Sequence, residues 1–408
     1  AGGAMFPKSA AAPARRSRRP FQTGRWLSRV RELPEVLGEL PAVTIADEIL
    51  TPGDEQVRAM FVVAGNPVIT SPDSDRLAQA LEGLDLMVSV DPYLNATSRL
   101  ADVILPPPSA LERPHFDVAF TALSVRNYAM FSPPVFETEA PSEFDLLVTL
   151  TAIVSGLGPD VDVKQLAWAS VELRLAKVAS ALDRNVDELK QELAVWDDPR
   201  LSILDLMLRT GAYGDGFGSN PGGLNLALLA KEPHGMDLGP LESRLSEVIT
   251  TESGRIELAP APIIADLSHL PVEMDGFDPD RLVLVGRRQV RTANSWLGNI
   301  EVLVKGKDAC TLQVHPDDAA RLGLVDGGPA TLTSSTGKLV APVEITDEIR
   351  SGVVSMPYGW GHDLDGVRLS VAGSIPGVNV NRIISTDQID PLSGNAVLNG
   401  VPVTVTPG

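Results

Sequence analysis

The amino-acid sequence predicts an α/β protein, in which a Rossmann-like parallel sheet with a helical insert is followed by a closed β-barrel. Two observations carry this prediction. Between about Val57 and Pro107, short continuous apolar runs alternate with a helical segment, which is the pattern of buried parallel strands. From Arg281 onward, short β-rich pieces alternate with turns, as in a barrel. The 408 residues are enough for two or three domains.

Three strands are expected in the parallel sheet. The first ends at the loop Gly65-Asn66-Pro67, because a continuous apolar run stops there. A helix over residues 73–81 follows it, and one helical turn over residues 97–101 precedes the third strand. The predicted strands cover residues 60–64, 84–90 and 103–105. Strand–helix–strand spacing of this kind predicts parallel pairing.

The barrel is expected to contain six short strands and one helix. The helix covers residues 315–324, with Pro316 near its start and Gly323 near its end. The strand pieces are residues 282–285, 312–314, 330–333, 339–345, 353–356 and 401–405. Pieces this short and evenly spaced favour a closed barrel over an open sheet.

The remaining segments are predicted to be mainly helical. A short helix is expected over residues 26–40, and residues 143–210 are expected to form the helical insert before a glycine-rich loop at residues 211–223. One apolar stripe on an amphipathic helix is formed by Leu182, Val186, Leu189 and Leu193. The predicted divisions are residues 1–56 (a linker or the remnant of a truncated domain), 57–275 (the α/β domain with its insert) and 276–408 (the barrel).

The charge distribution argues against nucleic acid as a partner. The net charge is −19, and eight Lys and Arg residues precede the first acid, Glu32, so the rest of the chain carries −27. Duplex binding needs an excess of basic residues. The basic cluster Arg15, Arg16, Arg18 and Arg19 has no apolar segment behind it, which excludes an export signal. It is interpreted as a solvated surface strand or linker.

A single cysteine, Cys310, excludes a disulfide framework and a four-cysteine iron–sulfur site within these residues. We interpret Cys310 as a core residue of the barrel. No run of about 18 or more apolar residues is present, so no membrane span is expected. These features together predict a reducing, cytoplasmic location.

The first candidate site lies at one edge of the predicted sheet. Gly65 follows the first strand, and glycine allows a ligand to approach the backbone. Asp91 ends the second strand at the same edge, where its carboxylate can accept two N–H bonds from a guanine or bind a ribose hydroxyl. Asn95 and Thr97 follow in the same loop. Taken alone, this pattern is equally typical of a simple turn.

Three ordered motifs resemble the dimethyl sulfoxide reductase family, in its formate dehydrogenase and nitrate reductase branch. They are Gly65-Asn66-Pro67, Val90-Asp91-Pro92-Tyr93-Leu94-Asn95-Ala96-Thr97, and Ala101-Asp102-Val103-Ile104-Leu105-Pro106. The family binds two molybdopterin guanine dinucleotides around one molybdenum or tungsten atom. The resemblance implies that Gly65, Asn66, Asp91 and Asn95 hold one guanosine, with Pro67 and Thr97 as further cofactor-binding residues.

The second half carries the same resemblance independently. Residues 284–296 look like the opening of the family's dinucleotide-binding domain, a double-psi β-barrel whose first loop wraps pyrophosphates and pterins. An arginine fork suits phosphate oxygens. The resemblance implies cofactor contacts for Arg287, Arg288, Thr292, Asn294, Ser295, His362, Asn379 and Asn381. The motifs around residues 315–319, 359–362, 377–381 and 390–394 match as well, so the resemblance runs from about Val57 to Gly408.

The resemblance implies an oxidoreductase that performs two-electron chemistry on a small substrate such as formate or nitrate and passes electrons to a redox partner. The family's 4Fe-4S cysteines and metal-ligating residue have no counterpart here. Ala1 is not a methionine, and the first residues read as an internal stretch. We therefore expect a truncated chain that lacks the metal ligand and shows no turnover alone. The catalytic residues and the substrate cannot be assigned from these residues.

Two other functions remain open at this point. The chain could be a non-catalytic protein that binds, stores or delivers the cofactor, or an accessory subunit. It could also be an ordinary nucleotide-binding α/β enzyme, although Gly65-Asn66-Pro67 is not a G-x-G-x-x-G fingerprint. No two histidines have metal-ligand spacing. His115 is interpreted as a surface-loop residue and His234 as structural.

Overall fold

The computed structural model describes residues 5–12, 23–269, 281–306 and 308–408. The predicted basic linker at Arg15, Arg16, Arg18 and Arg19 lies outside these residues. Within them, no helix is both long enough and apolar enough to cross a bilayer.

The elements are numbered along the chain. The α-helices are α1 (Ile45–Leu50), α2 (Pro67–Thr70), α3 (Ser74–Glu82), α4 (Glu143–Val154), α5 (Val163–Leu182), α6 (Val186–Leu193), α7 (Pro199–Thr210), α8 (Leu226–Leu229), α9 (Leu245–Val248), α10 (Ala261–Asp266), α11 (Glu301–Val304) and α12 (Pro316–Leu322). The short 3-10 helices are Ala42–Thr44, Ser98–Leu100, Phe120–Leu123, Ala194–Trp196, Leu267–His269, Ala372–Ser374 and Val380–Ile383.

The strands are numbered in the same way. They are β1 (Met5–Phe6), β2 (Thr23–Leu27), β3 (Pro34–Val36), β4 (Ala59–Val63), β5 (Leu86–Val90), β6 (Val103–Ile104), β7 (His115–Phe116), β8 (Asn127–Ala129), β9 (Phe131–Ser132), β10 (Met236–Gly239), β11 (Glu242–Ser243), β12 (Leu282–Arg287), β13 (Leu312–Val314), β14 (Pro329–Thr333), β15 (Lys338–Ile345), β16 (Val353–Pro357) and β17 (Val401–Pro407).

The described residues divide into two compact units. One contains residues 5–12 and 107–257, and the other contains residues 23–106 together with the described residues from 258 onward. The parallel sheet and the barrel therefore belong to the same unit, while the helical insert belongs to the other. Both units are discontinuous in sequence. The divisions at residues 56 and 275 stay predictions.

The predicted parallel sheet is confirmed. Its strand order is β4-β5-β6, and both neighbouring pairs run parallel. The register places Val63 opposite Val90, so both strands end at the same edge of the sheet. On one face, Leu77 and Leu81 of α3 pack into a buried cluster with β4 and β5. The apolar run of β5 corresponds to a mostly buried strand. The expectation that the first strand is buried is not met, because only Val62 of β4 is buried and Phe61 and Val63 are each 41% exposed.

The predicted barrel is confirmed as a closed six-stranded barrel, with the order β12-β16-β13-β15-β14-β17. Two pairs are parallel, β12 with β16 and β13 with β15, and the others are antiparallel. Leu284, Leu312 and Leu332 are fully buried inside it. The predicted helix is α12, which Gly323 ends in a left-handed conformation with φ 69°.

The predicted helical insert is confirmed as helices α4 to α7, but the apolar stripe is not one helix. Leu182 is the last residue of α5, and Asp183 leaves the helix with φ 52°. Asn185 then caps α6, which carries Leu189 and Leu193. The stripe pattern is preserved because α5 and α6 pack into one buried cluster. Side-chain spacing alone does not reveal the turn between them.

The helix predicted over residues 26–40 is wrong. This segment forms the antiparallel hairpin β2–β3. Pro34 cannot donate a backbone hydrogen bond within a helix. Glu35 is completely buried, and its carboxylate pairs with Arg25 and accepts the backbone N–H of Gly38. These contacts, led by the hydrogen bond from Arg25, lower the pKa of Glu35 to about 2.

Candidate cofactor site

The loops after β4 and β5 lie at the same edge of the parallel sheet. The backbone N–H of Ala64 donates to the carbonyl oxygen of Val90 at 2.9 Å, which joins the ends of the two strands. The loop with Gly65 and Asn66 therefore begins beside the loop that begins at Asp91. Parallel strands present ligand-binding loops at this edge. The residues predicted to hold a guanosine are thus brought together.

The backbone turns sharply where β4 ends. Ala64 has φ 51°, a left-handed conformation that is unfavourable for a residue with a side chain. Asn66, with φ −128° and ψ 63°, then leads into α2, and Pro67 is the first helical residue. Such strain costs about 1–3 kcal/mol and clusters at functional sites. The turn formed by Ala64 and Asn66 holds the Gly65 backbone in the loop at the sheet edge.

Asp91 is a buried carboxylate whose oxygens both accept hydrogen bonds. The backbone N–H of Tyr93 donates to Oδ1 at 2.8 Å, and the side-chain amide of Asn95 donates to Oδ2 at 2.9 Å. Burial raises the pKa of Asp91, against the lowering effect of these two donors. Each carboxylate oxygen has further lone pairs, so Asp91 retains capacity to accept ligand N–H groups.

Thr97 is completely buried and connects the two loops. Its hydroxyl donates to Oδ1 of Asn66 at 2.8 Å and accepts the backbone N–H of Val68 at 3.0 Å. The amide nitrogen of Asn66 lies 3.5 Å from Oγ of Ser295, which belongs to the barrel loop. The geometry therefore places Asn66 between the sheet edge and the barrel, with Thr97 behind it.

Arg287 does not extend away from the barrel. Its guanidinium donates to the carbonyl oxygens of Ser355 and Thr311 at 3.3 and 3.0 Å, and to Oγ1 of Thr311 at 3.1 Å. Burial lowers the pKa of Arg287, with Glu344 opposing this effect. Both arginines could face the cofactor only if β12 ended by Gly286, but the strand includes Arg287. Neighbouring strand residues point to opposite faces.

Arg288 lies in a different environment. Together with Thr292, Asn294, Trp296 and Tyr358 it lines a cavity of about 410 Å³. Trp296 is 67% exposed at this cavity, whereas Thr292 is buried and its hydroxyl donates to the carbonyl oxygen of Gln289. The cavity therefore has a cationic group and an aromatic surface beside it.

Two loops of the barrel close against each other at Asn294 and Gly359. A Cβ atom added at Gly359 would lie 1.2 Å from the carbonyl oxygen of Asn294, and Gly359 has φ 89°. Ala293 and Asn294 are also left-handed, with φ 43° and 66°. Only glycine fits this close approach. Strained backbone is therefore present in the barrel loop as well as at Ala64.

His362 lies between these two loops and is only 3% exposed. Its Nε2 atom is 3.0 Å from the carbonyl oxygen of Gly359, which requires a hydrogen on Nε2. Nδ1 is then an acceptor, and it is buried with no hydrogen-bond partner among the residues that the structure describes. Burial lowers the pKa of His362.

His362→Gln is expected to make folding less sensitive to acid. Because the folded pKa of His362 is depressed, the neutral ring contributes stability above its unfolded pKa of about 6.5. That contribution is lost as the pH falls through the folded pKa. Urea unfolding from about pH 7 to about pH 5 should show a smaller loss of unfolding free energy in the variant than in wild type. An equal loss in both proteins would contradict this assignment.

Asn379 and Asn381 join the barrel to α2. Their amide nitrogens donate to the carbonyl oxygens of Val68 and Ile69 at 2.9 and 2.6 Å. This fixes the orientation of each amide and leaves Oδ1 of Asn381 as a buried acceptor that no described residue pairs. Both residues thus hold the barrel against the loop after β4. The sequence pattern alone gave no sign of this connecting role.

Three residues of the site were missed by sequence reasoning. Gln289 accepts the indole N–H of Trp360 and donates to the carbonyl oxygen of Ala309. The Tyr358 hydroxyl donates to the carbonyl oxygen of Leu398, and burial raises its pKa to about 12. Gly359 was predicted only as part of a family motif. The sequence places Gly359 and Gly361 two residues apart, and this pair of glycines was the available signal for a close approach of the backbone.

The other ionisable groups considered have no role in this arrangement. Cys310 is buried in the barrel core, and burial raises its pKa to about 11, as expected for an inert core thiol. His115 is exposed on β7 rather than in a loop, and His234 is exposed. Among the described side chains, no group of three or more His, Cys, Asp or Glu residues comes together to hold a metal ion.

Comparison with protein families agrees with this arrangement. A model described as "Molybdopterin oxidoreductase" matches residues 8–150, and one described as "Molydopterin dinucleotide binding domain" matches residues 282–402. The second match covers most of the closed barrel. The two matches therefore place this chain among proteins that carry the molybdopterin oxidoreductase and molybdopterin dinucleotide-binding domains.

Individual relatives are distant but consistent. A biotin sulfoxide reductase of Cereibacter sphaeroides is 23% identical, with 83% of this chain and 45% of the relative covered. A dimethyl sulfoxide reductase of Escherichia coli is 22% identical, with 92% and 44% covered. The alpha subunit of an F420-dependent formate dehydrogenase of Methanococcus maripaludis is 24% identical, with 76% and 40% covered. This chain belongs to the dimethyl sulfoxide reductase family.

The solved acetylene hydratase of Pelobacter acetylenicus has the same fold, with a TM-score of 0.62 at 17% sequence identity. The match covers 92% of this chain and 47% of the hydratase. The chain thus spans less than half the length of this structure and of the three relatives described above.

Proposed function

We propose that this chain is the cofactor-holding part of an oxidoreductase that uses two molybdopterin guanine dinucleotides around one molybdenum or tungsten atom. The substrate is a small molecule such as formate or nitrate, and the reaction transfers two electrons. A 4Fe-4S cluster and the metal ligand are supplied by other residues of the enzyme, and a redox partner exchanges the electrons in the cytoplasm. The named relatives, which include a formate dehydrogenase subunit and sulfoxide reductases, support this class of chemistry.

One observation carries the proposal. The sheet-edge loops and the first barrel loop, each predicted to hold part of a dinucleotide, meet within one compact unit. Asn66 lies 3.5 Å from Ser295, and two asparagines of the barrel bond to the backbone of α2. A ligand bound at the sheet edge therefore has the barrel loop beside it. An extended dinucleotide needs such an arrangement.

The residues present fit this cofactor. Within the described parts of the chain, His362 and Asn381 each have a buried acceptor without a partner, and a pterin carries N–H donors that match acceptors. Arg288 provides positive charge at a cavity in a chain of net charge −19, where a pyrophosphate would otherwise be repelled. When bound, the cofactor would supply the redox chemistry, while the protein supplies binding and orientation.

The proposed roles follow the two halves of the site. Asp91 would accept N–H groups of a guanine, with Asn95 holding its carboxylate in place. The residues proposed for the guanosine side are Gly65, Asn66, Pro67, Asp91 and Asn95. The residues proposed for the pyrophosphate and pterin side are Arg288, Thr292, Asn294, Ser295, His362, Asn379 and Asn381. Arg287 is proposed to act through the barrel that it stabilises.

The test is the composition of the purified chain. We expect the chain, produced in a host that synthesises the cofactor, to retain molybdenum or tungsten and to release two guanine nucleotides per metal atom after acid hydrolysis. Metal analysis and chromatography of the released nucleotide give both numbers. Asp91→Ala should lose the nucleotide that its edge binds, whereas Asp326→Ala, at a barrel turn, should not. A wild-type chain without guanine nucleotide would refute the proposal.

A further inference from the structure

The orientation of the Asn66 side chain determines which kind of ligand atom it can bind. An asparagine amide presents a donor at Nδ2 and an acceptor at Oδ1, and coordinates alone do not distinguish them. The hydrogen-bond partners of Nδ2 and Oδ1 distinguish the two atoms. At Asn66, one side of the amide faces Thr97 and the other faces the barrel loop. The question is therefore which atom Thr97 selects.

Thr97 selects the oxygen. Its hydroxyl oxygen already accepts the backbone N–H of Val68 at 3.0 Å, which leaves the hydroxyl hydrogen available to donate. The oxygen could accept a second N–H, but only the acceptor Oδ1 of Asn66, 2.8 Å away, pairs that hydrogen. Reversing the amide would leave that hydroxyl hydrogen unpaired in a residue that is 0% exposed, at a cost of about 1–3 kcal/mol.

The amide nitrogen of Asn66 is consequently turned toward the barrel loop. Its contact with Oγ of Ser295 is 3.5 Å long, well beyond the usual hydrogen-bond distance of about 2.9–3.0 Å. Asn66 is 7% exposed, so a weakly used N–H₂ group at this position is unfavourable unless a better acceptor binds there.

We propose that Thr97 is a positioning residue that fixes Asn66 as a hydrogen-bond donor, so that a ligand oxygen binds between Asn66 and Ser295. This inference rests on the proposed function, because the ligand is part of the dinucleotide. The atom is an accepting oxygen, from either the phosphate or the guanine ring. Thr97 itself does not touch the cofactor, in contrast to the direct contact predicted from the sequence.

Asn66→Asp tests the donor assignment. The carboxylate can still accept the Thr97 hydroxyl, but it presents an acceptor to the ligand oxygen. We expect bound guanine nucleotide to fall by about tenfold or more, because a favourable contact becomes repulsive. The measurement is nucleotide per chain after gel filtration, read together with the thermal midpoint of unfolding. Nucleotide content equal to wild type would overturn the inference.

Substitutions at Thr97 test the positioning role. Thr97→Val keeps the shape and removes the hydroxyl, so the amide is free to reverse, and nucleotide loss of several-fold is expected. Thr97→Ser keeps the hydroxyl and should restore retention to within about twofold. The matched control is Thr44→Val, which removes another buried hydroxyl, one that donates to the carbonyl oxygen of Pro41 at 2.8 Å and, within the described residues, forms no hydrogen bond with Asn66.

The outcomes are distinguishable. If Thr97→Val and Thr44→Val lower the thermal midpoint alike and both keep the nucleotide, Thr97 is only structural and the inference fails. If only Thr97→Val and Asn66→Asp lose nucleotide, the inference stands. If Thr97→Val does not fold, Asn66→Asp still decides the donor assignment. If the wild-type chain holds no guanine nucleotide, the proposed function and this inference fail together. If the inference stands, titration of the chain with GMP and, separately, with guanosine distinguishes binding of a phosphate oxygen from binding of a ring oxygen.

Discussion

Gly359→Ala is expected to remove bound cofactor and to destabilise the unit that contains the barrel by on the order of 3 kcal/mol. The added Cβ would lie 1.2 Å from the carbonyl oxygen of Asn294, which no side-chain rotation can relieve. The φ of 89° is also unfavourable for alanine. The two loops must therefore separate, and His362 loses the packing that encloses it.

Gly327→Ala is the matched control. Gly327 also has a positive φ, 73°, in the same barrel, but nothing lies within 4 Å of the added Cβ. This variant should lose only about 1 kcal/mol from the unfavourable backbone conformation and should keep its cofactor. Denaturant unfolding and metal content would be measured for both variants. Equal behaviour of the two would show that the contact between Asn294 and Gly359 is unimportant.

Replacing each of the two neighbouring arginines of the barrel with alanine is expected to have a different effect. Arg288→Ala should weaken cofactor retention by about 1.5–3 kcal/mol, the range of a hydrogen bond to a charged group, with little change in unfolding free energy. Arg287→Ala should instead destabilise the barrel, because the guanidinium bonds to Ser355 and Thr311 are lost. Nucleotide content and urea unfolding, measured for each variant, separate the two effects.

The result that would contradict this separation is a loss of cofactor in Arg287→Ala without a loss of stability. It would mean that Arg287 leaves its carbonyl partners to bind phosphate. If neither variant changed cofactor content, the phosphate role of this loop would be wrong, while the barrel would be unaffected. The sequence alone treats both arginines as phosphate ligands, since it cannot show which side of β12 each occupies.

The elements that the sequence predicts well are those whose pattern is local. The apolar run before Gly65 identified β4, and the strand pieces of the barrel correspond to β12 to β17 within a few residues. The helix predicted over residues 26–40 failed because the decisive contact, between the buried Glu35 and the exposed Arg25, depends on the fold of the hairpin. No periodicity encodes such a pair.

The site was predictable in its location and less so in its contacts. The rule that parallel strands end at one edge was sufficient to place Asp91 beside Gly65. The role of Thr97 was not accessible, because its partners Asn66 and Val68 are 31 and 29 residues away. The left-handed conformations of Ala64 and Ala293 were equally hidden, since alanine carries no signal for positive φ.

The position of β17 has a consequence for synthesis of the protein on the ribosome. This strand pairs with β12 and with β14, so the barrel has two open strand edges until Val401 and the residues after it have left the exit tunnel. Open edges attract other strands and promote aggregation. The sheet made from β4 to β6 is translated much earlier, before the barrel that contacts it can be completed. A nascent chain stalled before β17 is therefore expected to require protection by a chaperone.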